Sequence, residues 1–530
     1  WSAIQSHAND TNPHRPRRRT KQENNIQRRY MINILDCTLR DGGYYTSWDF
    51  DTQLVEDYLA AMEFLPVEFV ELGYRSIPQK QYEGEYCYLP LSTLKRCKIL
   101  CPSKKLAVMI NLKDVDENSV VLLLEPCVGY VDLIRLAVRP DNLAQAAKIA
   151  RVIKSMGFLV ATNIMYMSTW KSLDGFYDGL HKLEGNVDYV WMVDSYGAVQ
   201  PNDMKIIVEN VKKQISCSLG FHGHNNLELA MANSLEAINL GCQIIDSTIL
   251  GMGRGAGNLK TELLLTYLQK TGWDIDFYKL SNIVELFHKL QQQYHWGTNI
   301  PYMISGANSL PQKDIMEMMS KRRYSVTSIV EILQNAFSKQ NQIYPKYAGY
   351  LAENTIVIGG GPSVKQHRKA IIDFIKQNDL FVVFASTKHM DLISEFPEKP
   401  HVVCLVGEEG HKLENHGFTF TTNTHFIVNT TLKTDTYVPE NLKQQIYNLP
   451  ITQPELPYSD SPLSIALQLV GVRKVWMIGF DGYLSVETNE DVYDLMQENQ
   501  RIIDAYQGEL ISLLPTAYKN IKQTSIYSYL

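Results

Sequence analysis

The chain has 530 residues, 45% of them hydrophobic and 20% charged, which are globular values; the length exceeds one ordinary core, so two domains are expected. A formal net charge of −6 offers no electrostatic footprint for nucleic acid or an anionic membrane surface. No apolar run approaches the ~20 residues that span a bilayer, and the cysteines at 37, 87, 97, 101, 127, 217, 242 and 404 are scattered without zinc-module spacing, which fits reduced thiols and a cytoplasmic location.

Residues 1–30 are polar and include Arg15-Pro16-Arg17-Arg18-Arg19. They lack the apolar core of a signal peptide and read as a basic, disordered extension before a natural start at Met31. A basic arm for RNA or another polyanion is the functional alternative. From Met31 onward short apolar runs alternate with amphipathic stretches. The runs fall at 32–37, 69–73, 106–111, 130–137, 159–165, 189–193, 218–221 and 244–248, and the helical patterns between them include 51–64, 142–156, 201–214 and 226–240. Such βα alternation over residues 31–274 is the pattern of a (β/α)₈ barrel; a doubly wound sheet is the structural alternative. Residues 275–346 read as a helical extension, broken at Trp296-Gly297-Thr298-Asn299-Ile300-Pro301-Tyr302. After a join at 347–353, residues 354–530 form a second, smaller α/β domain with a Rossmann-like layout, opened by a strand at 355–358 and Gly359-Gly360-Gly361-Pro362-Ser363.

A barrel carries its chemistry at the C-terminal ends of its strands. The first run ends in Leu35-Asp36-Cys37-Thr38-Leu39-Arg40-Asp41-Gly42-Gly43, and the seventh in Gly220-Phe221-His222-Gly223-His224-Asn225-Asn226. Residues i and i+2 of a strand point the same way, so His222 and His224 can share one ion, with Asp41 adding an oxygen and Arg40 a fixed cation beside it. An Asp/His/His set with open positions suits Mg²⁺, Mn²⁺ or Zn²⁺ and a chelating substrate. Further polar residues fall at strand ends: Glu71, Arg135, Asn163 and Asp194-Ser195. Asn163, Arg135 and Asp194 are candidates for contact with substrate, the last two also for buttressing the His pair. In the second domain, the Gly359-Gly360-Gly361-Pro362-Ser363 loop offers backbone N–H groups to a nucleotide phosphate, a site of the kind found at helix N-termini; the bland alternative is a tight βα turn.

The Arg40-Asp41 and His222-x-His224 segments, followed in order by Leu250-Gly251-Met252-Gly253-Arg254-Gly255-Ala256-Gly257-Asn258, resemble the metal-dependent aldolase, lyase and synthase barrels. The resemblance implies a divalent-metal-dependent aldolase that makes or breaks a carbon–carbon bond through a metal-bound enolate of a 2-oxoacid such as pyruvate. It implies metal ligation by Asp41, His222 and His224 with Asn258 at or near the ion, and a catalytic role for Arg40 at the enolate oxygen. The segment 296–308 resembles the helical extension of 4-hydroxy-2-oxoacid aldolases, which can lend a tyrosine to the site; Tyr302 is the candidate. The chain departs from the 4-hydroxy-2-oxovalerate aldolases where they carry a His after Arg-Asp. It has Gly43-Tyr44-Tyr45 instead, so either Tyr44 or Tyr45 takes over as general base, alone or with a metal-bound water, or the reaction differs; Tyr44 is the better candidate from its position. It also lacks the Gln of the acyl-CoA condensing synthases, which speaks against a Claisen synthase.

Val357-Ile358-Gly359-Gly360-Gly361-Pro362-Ser363-Val364, with Ser461-Pro462-Leu463-Ser464-Ile465-Ala466-Leu467 and the run 475–481, resembles the bacterial sialyltransferase-like and hydroxymethylpterin-diphosphokinase-like families. That resemblance implies a nucleotide or nucleotide-sugar binder, an active glycosyl- or nucleotidyl-transferase, or a degenerate oligomerisation module. The pairing of domains suggests synthesis of a cell-surface sugar, with a sugar or sugar nucleotide as the aldehyde partner, and leaves room for a homo-oligomer.

Overall fold

The computed structural model describes residues 32–320, 326–327, 329–330, 333, 344–349, 354–407, 409–416, 420–429, 438–450, 455–483 and 490–530. The basic extension expected at 1–30 lies outside the described residues, as does much of the stretch between 321 and 343. The chain divides into two compact units, 1–316 and 317–530.

In the first unit eight parallel strands close into a barrel in sequence order: β1 (Asn33–Asp36), β2 (Phe69–Tyr74), β3 (Lys105–Asn111), β4 (Leu133–Val138), β5 (Leu159–Ile164), β6 (Tyr189–Asp194), β7 (Ser218–Gly223) and β8 (Ile244–Ser247). The expected (β/α)₈ fold is therefore present. The strands are apolar on both faces because one lines the barrel and the other meets helices. Strand β4 shows the division. Ile134, Leu136 and Val138 join the large outer core, whereas Leu133 joins the small inner one and Arg135 reaches polar groups on β2 and β8. The inner layer is completed by Leu35, Phe69, Ala107, Ala161, Trp191 and Ile244, so the barrel floor is packed and only its mouth is open.

The covering helices follow from local signals. Asp51 caps helix Thr52–Phe64 by accepting the Leu54 N–H. Helix Leu143–Ser155 buries Leu143, Ala146, Ala147, Ile149, Ala150 and Ile153, the stripe expected of a helix lying on a sheet. The expected extension begins with helix Phe277–Tyr294, capped by Asp276. It continues in Ile300–Ala307, where Asn299 accepts the Tyr302 N–H and Pro301 occupies the first turn.

The second unit holds an all-parallel sheet in the order β13-β12-β11-β10-β9-β14-β15-β16. Its strands are β9 (Thr355–Ile358), β10 (Phe381–Phe384), β11 (His401–Cys404), β12 (Thr424–Val428), β13 (Ile446–Asn448), β14 (Lys474–Ile478), β15 (Glu509–Ser512) and β16 (Lys522–Gln523). Alternate residues of β9 enter separate cores, Ile356 and Ile358 on one face and Val357 on the other. The chain winds outward from β9 to β13, then crosses to β14 on the other side. The strand order thus reverses between β9 and β14, the position where such sheets take ligands.

Candidate active site

The turn after β1 is fixed by a buried carboxylate. Asp36 accepts hydrogen bonds from the Thr38 N–H at 2.9 Å, Thr38 Oγ1 at 2.5 Å, Tyr58 at 2.6 Å and Thr261 at 2.6 Å. Helix Thr38–Thr46 starts there and carries Arg40 and Asp41, both buried. Arg40 Nη1 donates to Asp41 Oδ1, and its Nε donates to Glu71 Oε2 at 2.8 Å. Burial alone would raise the Asp41 carboxyl. The Arg40 guanidinium and the two imidazoles overcome this and hold it well below the usual carboxylate range.

Both histidines are oriented through Nδ1. His224 Nδ1 lies 2.9 Å from the Asp194 carbonyl oxygen, which can only accept, so Nδ1 carries the proton and Nε2 presents a lone pair. Burial, then the neighbouring His222, lowers the His224 pKa to about 3, leaving it neutral as a ligand must be. His222 Nδ1 lies 2.9 Å from Asp246 Oδ2, and its Nε2 lies 3.5 Å from Asp41 Oδ2. Ligand atoms of Asp41, His222 and His224 all fall within 4.8 Å of one another. Asn258 joins them through an antiparallel bridge to His224, its Nδ2 donating to Asp41 Oδ2 at 2.5 Å. His224 Nε2 and Asn258 Oδ1 are buried without a hydrogen-bond partner. Two orphaned acceptors beside an ionised carboxylate are what a divalent cation would satisfy, so the residues fit the metal.

Cys37, His222 and Asp246 form a second close group, but it reads as packing. Burial pushes the Cys37 thiol well up, and His222 Nδ1 and Asp246 already bind each other.

A cavity of about 260 Å³ opens beside this cluster, lined by Arg40, His222 and His224 among others. Tyr44 lies on its wall, with its hydroxyl 2.9 Å from that of Tyr74 and its ring 4.4 Å beneath the Arg254 guanidinium. Asn163 also faces the cavity. Arg135 and Asp194, expected near substrate, do not line it. Arg135 is fully buried below, donating to Glu71 Oε2 at 2.9 Å, Asp246 Oδ2 at 2.6 Å and Asn163 Oδ1 at 3.1 Å. Its guanidinium lies 4.4 Å from the Trp191 ring. The Asp194 carboxylate accepts the N–H groups of Ala198 and Val199, and burial raises its pKa to about 6. Both residues reach the histidines indirectly, Arg135 through Asp246 and Asp194 through its carbonyl. Tyr302 is buried, with its pKa pushed by burial to about 12 and its hydroxyl paired with Tyr45. It packs over the Gly-rich loop, where a Cβ on Gly255 would lie 3.1 Å from its ring, and it does not line the cavity. Sequence reasoning did not single out Tyr74, Arg254 or Asp246. The signals were present: an acid at an inward position of β8, and one cation within a run of glycines.

In the second unit Gly359, Gly360, Gly361 and Pro362 line a cavity of about 360 Å³ with Lys388, Ser461 and Asp481. Two donors of the loop are already engaged. Ser363 gives its N–H at 2.9 Å and its hydroxyl to the Asp481 carboxylate, and the Gly361 N–H meets the Gly479 carbonyl at 2.8 Å. The glycines are needed where these loops touch. A Cβ on Gly359 would lie 2.5 Å from the Gly479 oxygen, and one on Gly361 2.7 Å from Asp481. The site expected of a bare helix N-terminus therefore carries a carboxylate of its own.

Fold and site together define a TIM-barrel protein with a buried Asp/His/His centre. The HMGL-like family model matches residues 131–287. The chain is 28% identical over 260 residues to the 4-hydroxy-2-oxovalerate aldolase of Carboxydothermus hydrogenoformans, covering 48% of this chain and 76% of that protein. It is 26% identical over 240 residues to the oxaloacetate decarboxylase of Mycobacterium tuberculosis, covering 45% and 70% respectively. Among solved structures, the N-terminal domain of a Bacteroides vulgatus protein provisionally named an aldolase matches with 47% identity and a TM-score of 0.54, covering 57% of this chain and 99% of that domain. The chain belongs to the HMGL-like family of TIM-barrel proteins.

Proposed function

We propose that the barrel is a divalent-metal-dependent aldolase that forms or cleaves a carbon–carbon bond at the carbon alpha to the keto group of a 2-oxoacid such as pyruvate, through its enolate. The observation that carries this reading is the Asp41/His222/His224 cluster, with His224 Nε2 unpartnered, beside a cavity lined by Arg40. Asp41, His222 and His224 would hold Mn²⁺, Mg²⁺ or Zn²⁺, with Asn258 adjacent; the bound ion supplies Lewis-acid polarisation of the carbonyl. Arg40, clamped by Asp41 and Glu71, turns its remaining Nη2 donor to the oxygen that gains negative charge. Its fixed partners mean that no reorganisation is needed as the charge develops. Tyr44, backed by the Tyr74 hydroxyl, takes the proton of the aldol hydroxyl in cleavage, as that oxygen becomes the aldehyde carbonyl, and returns it in formation. Relatives named as an aldolase and as a decarboxylase are consistent with carbon–carbon cleavage that passes through a shared enolate.

The test is exchange of the pyruvate methyl protons in D₂O, followed by NMR, with Mn²⁺ or Mg²⁺ and with EDTA. Exchange that needs the metal and is lost in Asp41→Asn is expected. Its absence under every metal would count against the pyruvate assignment. Acetyl-CoA-dependent thiol release would favour the Claisen alternative.

A second reading concerns residues 354–530 and rests on the cavity where the strand order reverses. There the domain would bind a nucleotide or nucleotide-sugar, consistent with work on an unusual cell-surface sugar. Lys388, on the cavity wall, would meet the phosphates. Calorimetric titration with nucleotides and sugar nucleotides checks this, and absence of binding by any of them would leave a module without that role.

A further inference from the structure

The cavity beside the candidate metal centre is more cationic than one 2-oxoacid requires. Its wall carries Arg40, Lys113, Arg139 and Arg254 and, among the described residues, no Asp or Glu. Arg40 is compensated by Asp41 and Glu71. The others are not. Arg254 is half-buried and rests on the Tyr44 ring, with no carboxylate bound to its guanidinium among the described residues. Lys113 is exposed and has no ion pair among them. Arg139 meets Asp141 at 3.4 Å with side chains 62% and 67% exposed, a pair worth little in water. A divalent ion at Asp41 would add further positive charge.

The order of the closed barrel separates these cations into two ends. β4, which Arg139 follows, lies across from β8, which Arg254 follows; β3, followed by Lys113, lies across from β7 with His222. A 2-oxoacid brings one carboxylate, which can answer one end only. Arg254 shares its end with Arg40 and the candidate metal ligands, so that is the end a 2-oxoacid carboxylate fits. Lys113 and Arg139 are then left facing the same cavity with two neutral amides, Asn111 and Asn142. Two cations and two amides on one rim are a receptor for a carboxylate or phosphate.

We propose that the second substrate is itself an anion, an aldehyde bearing a phosphate or carboxylate group, and that Lys113 and Arg139 receive that group at the β3–β4 rim. This rests on the aldolase reading and adds the charge of the acceptor to it.

The test is calorimetric titration of the 530-residue chain with Mn²⁺ and saturating oxalate standing in for the 2-oxoacid. Three inert acceptor analogues are compared: glycerol 3-phosphate, glycerate and glycerol. One of the two anions is expected to bind about tenfold or more tightly than glycerol, and the Lys113→Ala/Arg139→Ala double variant to lose about tenfold of that affinity. The thermal unfolding midpoint serves as the control for folding. The preferred anion names the group. Equal binding of glycerol overturns the proposal, as does anion affinity that survives in the double variant, which is what phosphate held in the second domain would give. Pyruvate proton exchange separates the two readings. Exchange without anion preference sinks the anionic acceptor alone. An anion preference abolished in the double variant, without exchange, supports the anion site and counts against pyruvate as its companion substrate.

Discussion

At the residue scale the centre depends on which nitrogen of each histidine carries the proton. His224 is fixed by a backbone carbonyl and His222 by the Asp246 carboxylate. These two supports differ in what mutation can reach. The carbonyl of Asp194 survives any side-chain change at that position, whereas Asp246 does not survive Asp246→Asn. An amide can turn its NH₂ toward His222 Nδ1, which puts the ring proton on Nε2 and removes the lone pair proposed to face the ion. Loss of such a partner lowers metal affinity about 10–100-fold. Mn²⁺ titration followed by electron paramagnetic resonance should show that loss in Asp246→Asn with no comparable loss in Ser195→Ala. An unchanged affinity would mean that His222 does not ligate through Nε2.

At the scale of the element, strand parity explains what could be read from sequence and what could not. Period-two patterning showed that His222 and His224 share a face, and the structure has both among the buried residues around one cavity. The same patterning marks Arg135 as inward but does not say how deep it lies. Depth is set by barrel stagger, and Arg135 falls one layer below Asn163, the inward residue of β5 that lines the cavity. There it meets Glu71 and Asp246 from distant strands, partners no local pattern could supply. Removing it should be costly, because two buried carboxylates lose their shared cation. Arg135→Met is expected to destabilise the barrel by about 3–5 kcal/mol, measurable as a lower urea midpoint. A cost near zero would show that the two carboxylates do not depend on this cation. The Gly359–Ser363 loop was legible as a βα turn for a similar reason of locality. Its engagement with Asp481, more than a hundred residues away in sequence, was not.

At the scale of the whole molecule, net charge and local charge part company. The chain is acidic overall, at −6, yet the barrel cavity presents four cations. Composition therefore offered no electrostatic footprint for a polyanion and said nothing of the local charge at the site. The two units also carry separate cores, one around the barrel and two on the faces of the second sheet, so each can be disabled by its own substitution. Gly359→Ala places a Cβ against the Gly479 backbone oxygen, an atom that cannot swing aside as a side chain would. The two loops at the sheet's reversal must then separate, and the second-domain cavity loses its shape. Asp41→Asn removes the negative charge proposed to hold the ion and weakens half of the Arg40 clamp without adding volume. If the chain works as an aldolase with an attached ligand-binding domain, pyruvate proton exchange should vanish in Asp41→Asn and persist in Gly359→Ala, while nucleotide titration gives the reverse pattern. If Gly359→Ala abolished exchange in a protein that still bound Mn²⁺ and remained folded by circular dichroism, the second domain would be part of the barrel's chemistry rather than a separate site.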